Sequence, residues 1–258
     1  MSVEEANNRE RAALNKLVKR TTDLDFNKGT LLRFLRARNL DVKKAEDMIR
    51  DSVIWRKENE YEYFGSSYEF WKPPPEIPTG FDVYHCGYDA EGRPVYYAPL
   101  GMWASAYDMF KKGLEDDCLR YAGKSMDQVH KRLLTTKHQN FVCIVDNTGV
   151  TFRKAFYESQ NFAGIQDLIR LFREYEANFP ETLHKAFVIN TPQVFYLGYN
   201  IVKPLMTKHT LSKINIFNQD ESKWLPAIHE HIPIDAIPEK LGGTAVMKPM
   251  WPFDKIII

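Results

Sequence analysis

Several common catalytic signatures are missing from this 258-residue chain: no G-x-S-x-G, no Walker-type loop, no G-x-G-x-x-G and no H-E-x-x-H. Cysteine is scarce, with three residues (Cys86, Cys118, Cys143), widely spaced and without a C-x-x-C. An odd, scattered set does not make a disulfide framework and reads as buried thiols in a reducing compartment. Charge of one sign is not in excess: 35 Lys and Arg against 34 Asp and Glu leave a formal net charge of +1. That balance gives no global reason to expect nucleic acid as a partner. The seven histidines show no ligand spacing beyond His229 and His231, which are expected to be solvent-exposed, so no metal is expected. The longest charge-free run, 186–202, contains Asn190, Pro192, Gln193 and Asn200 and cannot form a transmembrane helix. The first residues, Met-Ser-Val-Glu-Glu, are polar and acidic, unlike a signal peptide. The expectation is a cytoplasmic protein.

Hydrophobic content of 44% and charge of 27% are ordinary for a globular chain long enough for one large domain or two smaller ones. The first sixty residues read as helices: Val3 to Arg20, Asn27 to Arg38, and a third capped by Asp41 with Val42, Ala45, Met48, Ile49, Val53 and Trp55 along one stripe. Tyr61 to Phe70 is aromatic and irregular. Lys72-Pro-Pro-Pro-Glu-Ile-Pro reads as a linker, because its prolines exclude helix. The domain boundary is placed there, giving residues 1–75 and 76–258.

Beyond it, runs at 81–88 and 94–98 flank Asp89-Ala-Glu-Gly as a hairpin. Helix is expected over 106–137, strand over 140–145, helix over 152–178, strand over 186–189, an apolar helix from Pro192 to about Met206, strand over 214–217 and helix over 221–231. Strands alternating with long helices imply an α/β fold on a mixed or parallel sheet, with helix in excess. Asp146, at the carboxyl end of a strand, reads as the cap of the following turn.

The segment 179–217 carries most functional information. Pro192 is well placed to open a helix. That helix bears Val194, Phe195, Tyr196, Leu197, Tyr199, Ile201, Val202, Leu205 and Met206, with almost no polar face. Such a helix must be buried, face a membrane or cover an apolar cavity. Glu181 before it and Thr210 and Lys213 after it frame grease with polar groups, the makeup of a lipid site. Taken alone, Glu181 reads as a first-turn helix carboxylate and Lys213 as a solvated strand-end lysine. At about 100° per residue, Arg38 projects on the side of Leu31, Phe34 and Leu35, whereas Arg33 and Arg36 project away. Either Arg38 snorkels past the helix end onto terminal carbonyls, or it is a buried guanidinium that meets an anion.

Together, Leu-Leu-Arg-Phe-Leu-Arg-Ala-Arg-Asn-Leu-Asp-Val-Lys-Lys-Ala at 31–45 and Trp55-Arg56 resemble the N-terminal helical part of the CRAL-TRIO lipid-binding family. Asp89-Ala-Glu-Gly-Arg-Pro-Val, Phe179-Pro-Glu-Thr, Ile189-Asn-Thr-Pro, Lys203-Pro-Leu and Pro238-Glu-Lys-Leu-Gly-Gly-Thr resemble, in order, motifs of its lipid-binding lobe. The resemblance covers about residues 28–245. It implies a helical tripod packed on an α/β lobe whose sheet floors a lipid pocket, with the apolar helix as a gate that opens at a membrane. The family carries or senses phosphatidylinositol, phosphatidylcholine, tocopherols, retinoids or squalene-like lipids. Residues resembling the inositol-phosphate contacts of the fungal phosphatidylinositol transfer proteins are Arg38, Glu181, Thr210 and Lys213. Where those proteins place two hydroxyl residues for phosphocholine, this chain has Phe141 and Cys143, which suit an apolar ligand better. Similar animal proteins often carry a β-sandwich Golgi-dynamics domain after the lobe. The Ile256-Ile257-Ile258 end is compatible with truncation or with docking of the tail.

The resemblance therefore implies a non-enzymatic lipid carrier, monomeric and transiently membrane-associated, with phosphatidylinositol among its ligands. A retinoid or tocopherol carrier is one alternative, and a lipid-sensing module that regulates a kinase or GTPase is another. A hydrolase of the bound lipid would need a nucleophile–base pair, and none is apparent. The expected gate and pocket residues are Phe141, Cys143, Val194, Phe195, Leu197, Tyr199, Ile201, Val202 and Met206.

Overall fold

The computed structural model describes residues 5–58, 72–104, 106–153 and 162–252. The aromatic stretch at 61–70, the start of the helix expected from 152 and the isoleucine tail lie outside them in whole or in part.

Helix α1 (Asn8–Arg20) begins five residues later than the sequence reading of Val3. The cause is a reciprocal cap: the Glu10 amide donates to Asn7 Oδ1 at 2.9 Å, and the Asn7 amide donates to Glu10 Oε2 at 2.9 Å. Asn27, read as the first helical residue, is instead the cap of α2 (Lys28–Ala37), and Asp41 caps α3 (Val42–Glu58), as expected. Leu14, Leu17, Leu31, Leu32, Phe34, Leu35, Ala45, Met48 and Ile49 form the core these helices share.

The proline-rich stretch is not wholly linker. A short helix, α4 (Glu76–Gly80), starts directly after the three prolines, and Ile77 is fully buried. Pro78 is tolerated because it lies in the first turn, where its missing N–H has no intrahelical acceptor to lose.

The sheet runs β5-β4-β3-β2-β1-β6. β1 (Tyr84–Tyr88) and β2 (Pro94–Ala98) form the expected antiparallel hairpin. β3 (Phe141–Asp146), β4 (Leu183–Ile189) and β5 (Ile214–Ile216) then add in parallel, and β6 (Lys248–Pro249) closes the other edge beside β1. The helix expected over 106–137 is two, α5 (Ala106–Lys111) and α6 (Glu115–Leu134). Gly113 sits between them at φ 69°, a left-handed conformation that helix cannot contain. The helix ending at Asn178 is α7 (Phe162–Asn178) in the described residues.

One face of the sheet presents Val95, Tyr97, Val142, Ile144, Phe187 and Ile189 to α10 (Glu221–His229) and the 232–245 segment. The other presents Tyr96, Phe141 and Cys143 to Val129 and Leu133 of α6. The chain between β4 and β5 runs back as a crossover and contains α8 (Phe195–Val202), a 3-10 turn at Lys203–Leu205 and α9 (Lys208–Ser212). Pro192 does not open α8: its carbonyl accepts from the Phe195 amide at 3.0 Å in a preceding turn. The α-helix also ends before Met206, because Pro204 has no N–H to extend it.

Candidate functional site

Two separate stretches of chain meet at the amino-terminal ends of β4 and β5, and a third, at Arg38, bears on them electrostatically. From the turn after α7 comes Glu181, which is not the helix-start carboxylate that its position after Pro180 suggested. Its φ is 58°, a left-handed conformation unusual for a residue with a β-carbon. The turn is pinned on both sides. The Thr182 hydroxyl donates to Phe179 O at 2.8 Å, and the Phe141 amide donates to Thr182 O at 2.9 Å. Arg56 donates to Asn178 O at 3.2 Å and lies over the Phe179 ring at 4.8 Å.

From α9 come His209, Thr210 and Lys213. Lys213 Nζ lies 2.9 Å and His209 Nε2 lies 3.0 Å from the same oxygen, Glu181 Oε2. The Glu181 and Lys213 side chains are only 14% and 16% exposed, so neither is the free surface charge that each resembled in isolation. The Thr210 hydroxyl donates to Glu176 Oε1 at 2.9 Å. Thr207 sets that geometry by capping α9, accepting from the Thr210 amide at 3.0 Å.

Arg38 is the third contribution. It is the C-cap of α2 rather than a helical residue, so its place on a helical wheel does not fix its direction. Its guanidinium donates to Ala37 O at 3.1 Å, which realises the carbonyl-binding reading. Its charge also acts at longer range on the Glu176 carboxyl. Arg38 lines one end of an open cavity of about 540 Å³ between α3 and α7, with Trp55, Arg173, Glu174 and Asn178 among the other lining residues. Thr210 thus hydrogen-bonds Glu176, a residue that sequence reasoning missed, and Glu181, Lys213 and Arg38 act on the same carboxyl electrostatically. Burial raises the Glu176 carboxyl; the Thr210 hydroxyl opposes that, Glu181 reinforces it, and Lys213 and Arg38 lower it.

Arg33 corrects another reading. It is 4% exposed and lies 3.3 Å from His130 Nδ1, because α6 covers the side of α2 that the wheel made solvent-facing. Arg56 was noted only as part of a motif, yet it pairs with Asp127 at 3.2 Å in the interior.

The apolar part lies beside this cluster. Cys143 points to the same face as Phe141; it is half-buried, and burial pushes its thiol up to about 12. Phe141 is 8% exposed and packs edge-on to Tyr96, deeper in the core than Cys143. Along α8, Val202 is buried. Val194, Phe195, Tyr199, Ile201 and Met206 are half-buried, and Tyr196 and Leu197 are 39% and 54% exposed. Phe195 and Tyr199 stack at 5.9 Å. A helix this apolar with only one buried residue has the makeup of a cover, not of a core element. A β-carbon on Gly198 would meet nothing within 4 Å, so this glycine does not serve close packing.

Asp146 acts as the cap expected of it. It accepts from the Thr148 amide and hydroxyl, from Asn190 and from the Tyr97 hydroxyl, with Lys240 Nζ at 3.3 Å. His229 is exposed, but His231 is half-buried with its Nε2 2.6 Å from Lys185 Nζ, contrary to the solvent-exposed reading. The three cysteines are free thiols. Among the described residues no cluster could hold a metal ion, and no helix is long and apolar enough to cross a membrane.

Comparison with known proteins accords with this architecture. Residues 6–51 match the CRAL/TRIO N-terminal domain and residues 79–243 the CRAL/TRIO domain. The chain is 29% identical over 230 residues to a CRAL-TRIO domain-containing protein of Caenorhabditis elegans, covering 85% of this chain and 30% of that protein. It is 29% identical over 229 residues to Protein real-time of Aedes aegypti, covering 84% and 33%. The chain therefore spans about a third of the length of these relatives. A crystal structure of Sfh5 superposes with a TM-score of 0.62 at 16% identity, over 84% of this chain and 82% of that one, a likeness of fold alone. The chain belongs to the CRAL/TRIO family, whose members bind hydrophobic lipid ligands and are in general carriers rather than enzymes.

Proposed function

We propose that this chain binds one lipid and transfers it between membranes without chemical change, and that phosphatidylinositol is a ligand. In this reading Arg38, Glu181, Thr210 and Lys213 hold the inositol phosphate. The acyl chains lie along the face that bears Cys143 and Phe141, beneath Val194, Phe195, Leu197, Tyr199, Ile201, Val202 and Met206. Residues 1–75 are the helical unit and 76–258 the lipid-binding unit. The observations that support the reading best are the Thr210 hydrogen bond to Glu176 and the Lys213–Glu181 ion pair, which join distant parts of the chain, with Arg38 acting on the same Glu176 carboxyl. A charged phosphate needs cations and donors in a partly dry place, and this cluster holds both.

A second reading, an uncharged retinoid or tocopherol as cargo, is favoured by the apolar Cys143 and Phe141, since a phosphocholine there would lack donors. Mass spectrometry of an organic extract of the purified protein separates the two. Lys213→Ala is expected to weaken phosphatidylinositol binding by about 1.5–3 kcal/mol, the value of a charge-assisted hydrogen bond. Binding of α-tocopherol or retinal is expected to be spared. Equal loss of both ligand classes would assign Lys213 to folding instead.

A further inference from the structure

The head-group cluster carries a charge balance that bears on what it accepts. Arg38 and Lys213 supply two positive charges, and Glu176 and Glu181 supply two negative ones. Lys213 is already engaged at 2.9 Å by Glu181, which also lies 3.0 Å from His209. Glu176, half-buried on α7, takes the Thr210 hydroxyl and feels both cations and the second carboxylate. With His209 uncharged, a phosphodiester brought into this cluster would leave three negative charges against two positive ones in a partly desolvated space. Like charges so placed do not all stay ionised.

We propose that Glu176 is a specificity-determining residue of this site: a phosphate-bearing head group binds with uptake of one proton by Glu176, whereas an uncharged polar head group binds without it. The inference rests on the phosphate-binding reading given above. The step is a proton transfer from solvent to a Glu176 oxygen, and no bond of the lipid changes. The opposite oxygen still accepts from Thr210, and the new O–H becomes a donor toward the phosphate. Glu176 is the carboxyl suited to this role because burial already raises it, whereas Glu181 is held by Lys213 and His209.

The sign follows from linkage. Phosphate raises the affinity of Glu176 for a proton, so binding strengthens as pH falls from the bound-state pKa toward that of the free site, by up to about tenfold per pH unit for one proton. Above the bound-state value and below the free-site value the affinity is flat. His209 lies 3.0 Å from Glu181 in the same cluster, so its contribution is separated from that of Glu176 by substitution.

The test uses a short-chain phosphatidylinositol and α-tocopherol with wild type, Glu176→Gln and His209→Gln. Calorimetry between pH 5.5 and 8, in buffers of different ionisation enthalpy, reads both affinity and protons taken up. The amide of Glu176→Gln keeps the acceptor for Thr210 and imitates the protonated acid. It is expected to bind phosphatidylinositol at least tenfold more tightly than wild type at pH 8, with no proton uptake and a flat pH profile. The pH dependence should persist in His209→Gln, and α-tocopherol should bind all three alike. Phosphatidylinositol binding by wild type without proton uptake overturns this inference alone. So does a pH dependence that disappears with His209, or a Glu176→Gln that keeps its melting temperature and binds no better. Failure of phosphatidylinositol to bind wild type and Glu176→Gln at any pH overturns the phosphate reading together with it.

Discussion

Glu181 holds a backbone angle that costs of order 1 kcal/mol or more for a non-glycine residue, at a position that glycine could fill without strain. Its side chain gathers Lys213 and His209 on one oxygen, a use glycine could not supply. Asp146 presents the opposite case, a charge whose role is structural. Burial disfavours its ionised form, but donors from Asn190, Thr148 and Tyr97 outweigh that and hold the carboxyl down at about 2, from an ordinary 3.8. A depressed carboxyl contributes stability that is full above its unfolded pKa and lost as pH falls through the folded one. The window here is therefore about pH 4 down to about pH 2, and the contribution is roughly 2 kcal/mol. Urea unfolding across that window should show wild type losing this amount relative to Asp146→Asn. Parallel losses in the two proteins would mean that these donors do not hold the charge.

At the scale of elements, the proposed transfer requires α8 to act as the cover of the site. Moving α8 away from α7, against which it lies, would expose Phe195, Ile201 and Val202 to water, at roughly 25 cal/mol per Å² of apolar surface. A bilayer interface offsets much of that by accepting the same side chains, and Leu197, already 54% exposed, is placed to enter it first. Leu197→Asp is expected to slow transfer between labelled vesicles severalfold while leaving equilibrium ligand content unchanged. Val202 is unsuited to the same test, because a charge at a 4% exposed position would threaten the fold. Gly198→Ala has open space for its methyl group and gains about 1 kcal/mol of helix propensity. It should slow transfer if α8 must loosen. Unchanged transfer in both variants, each folded, would mean that α8 is not the moving cover.

The same elements show what the sequence could convey. Strands β1 to β5, the hairpin at 89–92 and helices α2 and α3 of the N-terminal unit were legible because apolar period and cap chemistry are local signals, whereas the two-residue β6 has neither. The break at Gly113 was not, since a glycine within a helical pattern is ambiguous until its φ is known. The four head-group positions came through resemblance, whereas Glu176 lies in no motif and acquires its role only when α9 folds back onto α7. Arg33 was misplaced for the same reason: a helical wheel distinguishes polar from apolar faces, but not whether another element covers the polar one.

For the whole molecule, two buried arginines join the N-terminal helices to the lobe. Arg33 of α2 meets His130 on α6, and Arg56 of α3 reaches Asp127 on α6 and Asn178 O at the end of α7. Arg56 therefore ties the tripod to the turn that presents Glu181, and the proposed head-group cluster is expected to depend on docking of the N-terminal helices. Removing Arg56 takes an ion-pair partner from Asp127, which is 1% exposed and which Lys131 also approaches at 3.4 Å. Breaking a buried pair from one side costs about 3–5 kcal/mol, more than the net worth of the pair, because a desolvated charge is stranded. Arg56→Ala should accordingly lower global stability by that order in urea unfolding. Arg56→Met with Asp127→Leu should recover much of it by removing both charges. Phosphatidylinositol affinity should stay low in the double variant, since the Phe179–Glu181 turn still lacks the guanidinium that holds it. Recovery of stability and binding together would show that Arg56 acts only through its charge pair, and the proposed link between tripod docking and the head-group turn would fall.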